Sequence, residues 1–253
     1  MRILYQFPLS HFCEKARWVL DHKELDYVAH NLTPGVHRFF TQRKAGVNTL
    51  PLLNDNERWI VDSTEIAIYL DEFYPENNLI HHNPTLKRYI LRTNDLANEL
   101  GIYIRRWVLN YMVLPHNESV DILIGEKGYL QKFKRYSKPV LSVALKKYFQ
   151  LNTNDLMDVE KRILEIIFML NQQLLETNTG YIVGNNLTLA DISVCSMVAP
   201  VLNIEGTPWE VEQFGHNEDV FSLKEKILAL PLGQYVQRIY ETQRNARVDW
   251  RGV

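Results

Sequence analysis

Cysteine is scarce in this 253-residue chain, with Cys13 and Cys195 the only two. Two cysteines cannot form the set of crosslinks that staples a small secreted scaffold. Long apolar runs are missing as well, and none approaches the roughly 18 residues of a membrane span. Neither charge sign is in surplus, since 28 Lys and Arg face 30 Asp and Glu for a formal net charge of -2. That balance argues against a dedicated nucleic-acid binder, which carries a basic excess. A signal peptide needs an unbroken apolar run near the N-terminus, where this chain holds Pro8, Ser10 and His11 with no small-residue cleavage site after them. Internal repeats and low-complexity tracts are absent.

What is present is an ordinary globular composition, 46% hydrophobic and 23% charged. So apolar a chain can offset its ordering entropy, which excludes disorder. At about 150 residues per domain, the length gives between one and two domains. A cytoplasmic globular protein is expected.

The first 75 residues alternate strand and helix signals. Arg2 to Phe7 is a short apolar segment stopped by Pro8, a strand. From His11 to Lys23, Phe12, Ala16, Val19 and Leu20 recur at helical spacing, with Ser10 at the N-cap position and Glu14 in the first turn. A second strand is expected from Leu25 to Leu32, before Pro34-Gly35, followed by an irregular or helical stretch. Two short strands then flank the Asn54-Asp55-Asn56 turn: Thr49 to Leu53, and Arg58 to Val61. Ser63 is placed to cap the next helix, whose Ile66, Tyr69, Leu70 and Phe73 form one stripe. The result is a compact α/β unit over 1–75.

Residues 76–84, inside the turn-rich YPENNLIHHNP, read as a linker. Over 85–253 helical periods dominate. Leu156, Val159, Ile163, Ile166, Leu170 and Leu174 define one long amphipathic helix, and Leu232, Tyr235, Val236, Ile239 and Tyr240 another. Thr188-Leu189-Ala190-Asp191 is a variant capping box. The stretches 115–150 and 205–221 show no clear period.

Chemistry concentrates at Ser10-His11-Phe12-Cys13, where the first strand meets the first helix. A helix N-terminus offers unpaired amides and a positive dipole end, which stabilise a thiolate or another anion. Taken singly, a Ser-x-x-Cys is compatible with a capped helix and a packed cysteine. Leu50-Pro51 stands just before a strand, where a proline removes a ladder donor. Asp62-Ser63 brings a carboxylate and a hydroxyl to another helix N-terminus, although such a pair is by itself an ordinary cap.

These pieces in this order (LYQFPLSHFCEKARWVL, NTLPLL and VDSTEIAIYLDEFYP) resemble the N-terminal domain of the cytosolic glutathione transferases. GNNLTLADISV is similar to the buried capped helix of that family's C-terminal domain. The resemblance implies an α/β thioredoxin-like N-terminal domain, then an all-α helical-bundle domain. It implies that Ser10 contacts the glutathione sulfur, with His11 and Phe12 following it in the turn. Leu50 would pair its backbone with the cysteinyl amide, Pro51 would be a cis-proline, and Asp62 and Ser63 would hold the γ-glutamyl end. For the glycyl end His37 and Lys44 both remain open. Gln6 takes the place of the activating tyrosine of other members. Tyr5, one residue away, should point to the opposite face, into the core. Cys13, one turn inside the helix, reads as structural.

The implied activity is transfer of glutathione to a small hydrophobic electrophile, a detoxification chemistry, with glutathione as co-substrate and no permanently bound cofactor. Alternatives are a non-catalytic interaction module of the same fold and a glutaredoxin-like thiol reductase; isomerase and dehalogenase activities also suit a serine at this place. Tyr103, Trp107 and Tyr111 recur at four-residue spacing as candidates for the electrophile pocket, or as core. His81-His82 has no partners at metal spacing, so no metal is expected. The lysine-rich stretch from Tyr129 to Lys147 reads as a solvated helix face. No nucleic acid or membrane partner is expected, and a homodimer is.

Overall fold

The computed structural model describes residues 1–113, 156–210 and 218–253. Strands β1 (Arg2–Gln6), β2 (Val28–Asn31), β3 (Leu52–Asp55) and β4 (Arg58–Val61) form one sheet in the order β2-β1-β3-β4. β1 pairs parallel with β2 and antiparallel with β3, and β3 pairs antiparallel with β4. The parallel pair needs a crossover, supplied by α1 (His11–His22). Leu4 and Gln6 face α1 and are fully buried. Tyr5 faces the other way, as alternation requires, but it is only half-buried. It lies in an aromatic cluster with Phe40, His30 and Trp59, at ring separations of 4.6, 5.4 and 5.7 Å.

The stretch after Gly35 is helical: α2 spans His37–Ala45 and ends at Gly46 in the left-handed conformation. Only His37 and Thr41 of this helix are buried, so no apolar stripe announced it. α3 (Ser63–Phe73) is capped by Asp62, whose carboxylate accepts the Thr64 amide at 2.7 Å. Ser63, expected as the cap, is instead the first helical residue. Both residue types cap well, and the non-helical backbone of Asp62, φ 65° and ψ 142°, puts its side chain at the cap position.

The helical domain opens with α4 (Pro84–Val108), capped by Asn83 and continuing into a π turn, Leu109–Val113. Among the described residues it continues with α5 (Leu156–Thr177), α6 (Leu189–Leu202), α7 (Glu218–Leu228) and α8 (Pro231–Gln243). Every residue of α6 is buried, as suits a helix apolar on all sides. Its one acid, Asp191, is satisfied locally. It accepts the Thr188 amide and hydroxyl at 2.7 and 2.6 Å, the Ile182 amide at 2.8 Å and the Tyr235 hydroxyl. α1 packs against both α3 and α6, so the two domains share a core.

The segment read as a linker is pinned at both ends of its chemistry. Asp71 accepts the amides of Leu79 and Ile80, and buried Lys23 pairs with Asp71 at 2.6 Å while donating to the carbonyls of Tyr74 and Glu76. The Leu79 carbonyl accepts the Leu189 amide at the start of α6.

Beyond α8 the chain returns to the sheet. Val253 donates to Ala29 and accepts from Asn31, both at 2.9 Å, along the outer edge of β2. At Gly252, with φ of 61°, a Cβ would fall 2.6 Å from the Ala29 carbonyl oxygen, so this approach requires glycine. Arg244 anchors the tail, pairing with Glu14 and Asp21 of α1 at 2.7 Å each. Burial opposes ionisation of Glu14, but Arg244 and Arg17 together outweigh it and hold the carboxyl down to about 2. Asp21, although paired with Arg244, is raised by its burial.

Arg244→Ala leaves two buried carboxylates short of a partner and should cost about 3–5 kcal/mol. Urea unfolding should show a lower midpoint with an unchanged slope. Glu14 contributes stability that is complete above its ordinary value of 4.5 and is lost as pH falls through about 2. The deficit of the variant should therefore narrow over that interval.

Candidate functional site

Strand register assembles the site. Tyr5 pairs with Leu52, and Leu52 with Val61. One step further along each strand brings Gln6, Pro51 and Asp62 to the same end of the sheet, with Ser10 following Gln6 by one tight turn. The Leu50–Pro51 bond is cis, as expected. Two helix N-termini, of α1 and α3, thus open beside this proline, and both favour an anion.

Ser10 caps α1, its Oγ accepting the Cys13 amide at 3.3 Å. The hydroxyl proton is not used in that bond. Asp62 holds α3 from a strained backbone, φ 65° and ψ 142°, of the kind that clusters where function demands it. Ser63 is buried and its hydroxyl has no hydrogen-bond partner. A buried polar atom left unpaired is rare enough to mark a place built for something else.

Other expected residues turn inward. His11 is buried, and its Nε2–H donates to the Gly101 carbonyl of α4 at 2.9 Å. Burial, then the charge of Arg105, pushes it down to about 3, so it is neutral. Phe12 lies 4.7 Å from the His11 ring and 5.6 Å from the Arg105 guanidinium. A Cβ at Gly101 would strike Met197 and Phe12 at 2.3 and 2.9 Å, so glycine lets α4 close onto this turn. Cys13 is fully buried and its thiol is raised by burial, against the weaker pull of Ser10 and Arg17. That is the environment of a packed cysteine, not a nucleophile. Gln6 is fully engaged by Arg17, Asn31 and the Trp250 carbonyl.

The two glycyl candidates differ in how far they are engaged. His37 is buried, its Nδ1 accepting the Gly35 amide at 3.1 Å and its Nε2 donating to the Asn48 carbonyl at 3.2 Å. Lys44 is exposed, with its ammonium 5.3 Å from the centre of the Trp59 ring. Trp107 is fully buried and belongs to the core, which removes it from an accessible pocket wall. Tyr103 and Tyr111 stay half-buried against that core. His81 and His82 are exposed, and among the described residues no three His, Cys, Asp or Glu side chains could hold a metal ion. The stretch from Tyr129 to Lys147 lies outside the described residues.

Sequence reading missed Lys15. It is fully buried, with Nζ donating to Thr64 at 2.9 Å, Asn94 at 2.5 Å and Asn98 at 3.1 Å. It thereby ties α1 to α3 and α4 beneath Asp62-Ser63. The signal was there: Lys15 stands three residues after Phe12 and four before Val19, on the apolar stripe itself.

Comparison with known proteins bears on the fold. Residues 4–78 match the glutathione S-transferase N-terminal domain, and residues 131–237 match the glutathione S-transferase C-terminal domain. Among solved structures, the chain is similar to a glutathione transferase from Phanerochaete chrysosporium, at 17% identity over 98% of each chain and a TM-score of 0.67. A glutathione S-transferase from Sinorhizobium meliloti is 14% identical over 97% of this chain and 95% of that one, with a TM-score of 0.60. Another from Methylobacterium radiotolerans, in complex with glutathione sulfonate, is 16% identical over 92% of each chain, with a TM-score of 0.56. Likeness at these identities speaks for the fold, and the two domain matches together cover most of the chain. A thioredoxin-like domain followed by a helical domain, matched in both halves, makes this chain a member of the glutathione S-transferase family.

Proposed function

We propose that the protein activates the thiol of glutathione for attack on a small apolar electrophile. One observation carries this reading: Ser10 caps α1 at the end of the sheet, its Oγ accepting the Cys13 amide in a bond that does not use the hydroxyl proton. A hydroxyl so placed can donate to an ionised sulfur and stabilise it, with the α1 amides and dipole adding to the effect. Leu50 offers its main chain to the cysteinyl amide beside the cis-proline. The Asp62 carboxylate suits the γ-glutamyl ammonium. The unpartnered Ser63 hydroxyl and the first amides of α3 suit the neighbouring carboxylate.

His11 and Phe12 act from below in this reading, fixing the turn against α4 rather than touching glutathione. Lys44 is the better placed of the two glycyl candidates, because both ring nitrogens of His37 are already bonded. Half-buried Tyr103 and Tyr111 on α4 supply flat apolar surface for the electrophile. Exposed Ile102 on α4 and Phe168 and Met169 on α5 support a homodimer. No helix among the described residues is long and apolar enough to cross a membrane. A cytoplasmic location, where the glutathione pool lies, fits the reading.

Ser10→Ala should raise the pKa of bound glutathione, moving the pH–rate profile with a generic aryl halide upward. Conjugation near neutral pH should slow roughly ten- to a hundredfold, the worth of a hydrogen bond to a charged group at about 1.5–3 kcal/mol. Tyr5→Phe and Cys13→Ala should change the rate far less; a full rate and unshifted profile in Ser10→Ala would end the proposal.

Asp62→Asn keeps the cap on α3 but removes the charge. Calorimetry should show glutathione binding weakened by about 1.5–3 kcal/mol, whereas unchanged affinity would move the γ-glutamyl site elsewhere. Light scattering should return a mass of twice the 29.8 kDa chain, and a monomer would refute the dimer.

A further inference from the structure

A lysine on the buried face of a helix is costly, and Lys15 is an unusual case of it. Its three ammonium protons go to Thr64, Asn94 and Asn98, and all three acceptors are neutral. Among the described residues, no carboxylate stands within ion-pair distance of it. Fold stability alone does not explain this arrangement, because an apolar side chain would continue the stripe of Phe12, Ala16 and Val19 without burying a charge. The charge lies directly beneath the opening of α3, where Thr64 is one residue beyond Ser63.

We propose that Lys15 is a positioning residue for the anionic end of glutathione, its buried ammonium serving as the internal counter-charge for the ligand carboxylate bound at the start of α3. The proposal rests on the glutathione reading above and names the protein group that senses the ligand's charge. All of its protons are committed, so Lys15 acts through its field and through Thr64, not by contact. A unit charge several ångströms from a carboxylate at a partly shielded site changes binding by about tenfold.

The surroundings make this charge adjustable. Burial pushes Lys15 down to about 7, and the negative charges of Asp62 and Asp95 offset only part of that. α3 presents Thr64 and Asp62 to it, α4 presents Asn94, Asn98 and Asp95, and α6 contributes Ser193 through a 2.9 Å bond to Asn94. On α1, His11 and Glu14 are held near 3 and 2, so neither changes charge near neutrality. His37, kept below its ordinary value by burial, is neutral there too. A carboxylate arriving beside a half-protonated lysine raises its pKa and draws a proton onto it. Binding should therefore take up a fraction of a proton just above pH 7, and affinity should fall as pH rises through that range.

Calorimetry of the whole protein with S-methylglutathione, whose thiol cannot ionise, tests this at pH 7.5. Runs in phosphate and in Tris separate the proton count from the binding heat. The wild type should take up a fractional proton; Lys15→Met and Lys15→Gln should take up none. The glutamine variant keeps hydrogen bonding to its neighbours without the charge. Both variants should bind about tenfold more weakly at pH 6.5 and equal the wild type at pH 9, where Lys15 is already neutral. Wild-type binding without proton exchange, or uptake that persists in the variants, overturns the role of Lys15 and leaves the glutathione reading standing. A wild type that does not bind S-methylglutathione overturns both. The wild-type proton count decides by itself if the methionine variant does not fold.

Discussion

The whole arrangement depends on the burial of one short helix. Ten of the twelve residues of α1 are buried, and four of them, Glu14, Lys15, Arg17 and Asp21, are ordinarily charged. An unpaired buried charge is prohibitively unfavourable, so each must be answered, mostly by groups brought from elsewhere. Arg17 is answered by Gln6 of β1 and by Glu14. Glu14 and Asp21 are answered by Arg244, more than two hundred residues away in the chain. Lys15 is answered from α3 and α4. The partners come from the first strand, the third helix, the second domain and the C-terminal tail, so satisfying α1 requires that the entire fold be assembled.

The same helix opens the site. Its N-terminus faces outward at the end of the sheet, where β1, β3 and β4 stop at one level, while its body is locked from three sides. His11 and Gly101 hold its first turn against α4, so a side chain on Ser10 is presented from a rigid base. In the proposed role, rigid support of this kind would spare the hydroxyl the entropy loss of being ordered at the moment of reaction. Polar groups inside the interface between domains, Lys15 with Asn94, Thr64 and Ser193, therefore support the surface groups that would meet a ligand.

Much of this was legible in residue order. Pro8 and Pro51 delimit strands, Ser10 and Thr188 mark helix starts, and the heptad-like spacing of Leu156 to Leu174 marks a long helix. Each is a local rule whose physics acts within a few residues. α2 was not legible, because a surface helix with two buried positions has no stripe to read. The cap of α3 fell on Asp62 rather than Ser63, since both are good cappers and only backbone geometry chooses. Trp107 looked like a pocket aromatic on spacing alone, yet the depth of α4 in the core makes it a packing residue. His37 looked available, yet both its nitrogens are bonded.

The sequence alone determined where most of the strands and amphipathic helices lie and which residue types would stand at the two helix starts, because caps, turns and periodicity are short-range effects. Tertiary structure decided which of those residues are free to act. Whether a histidine keeps a nitrogen available, whether a lysine is solvated or buried beside three neutral oxygens, and whether a serine hydroxyl finds a partner depend on what packs against it. Those neighbours are drawn from distant parts of the chain, and no local pattern carries the distance between them.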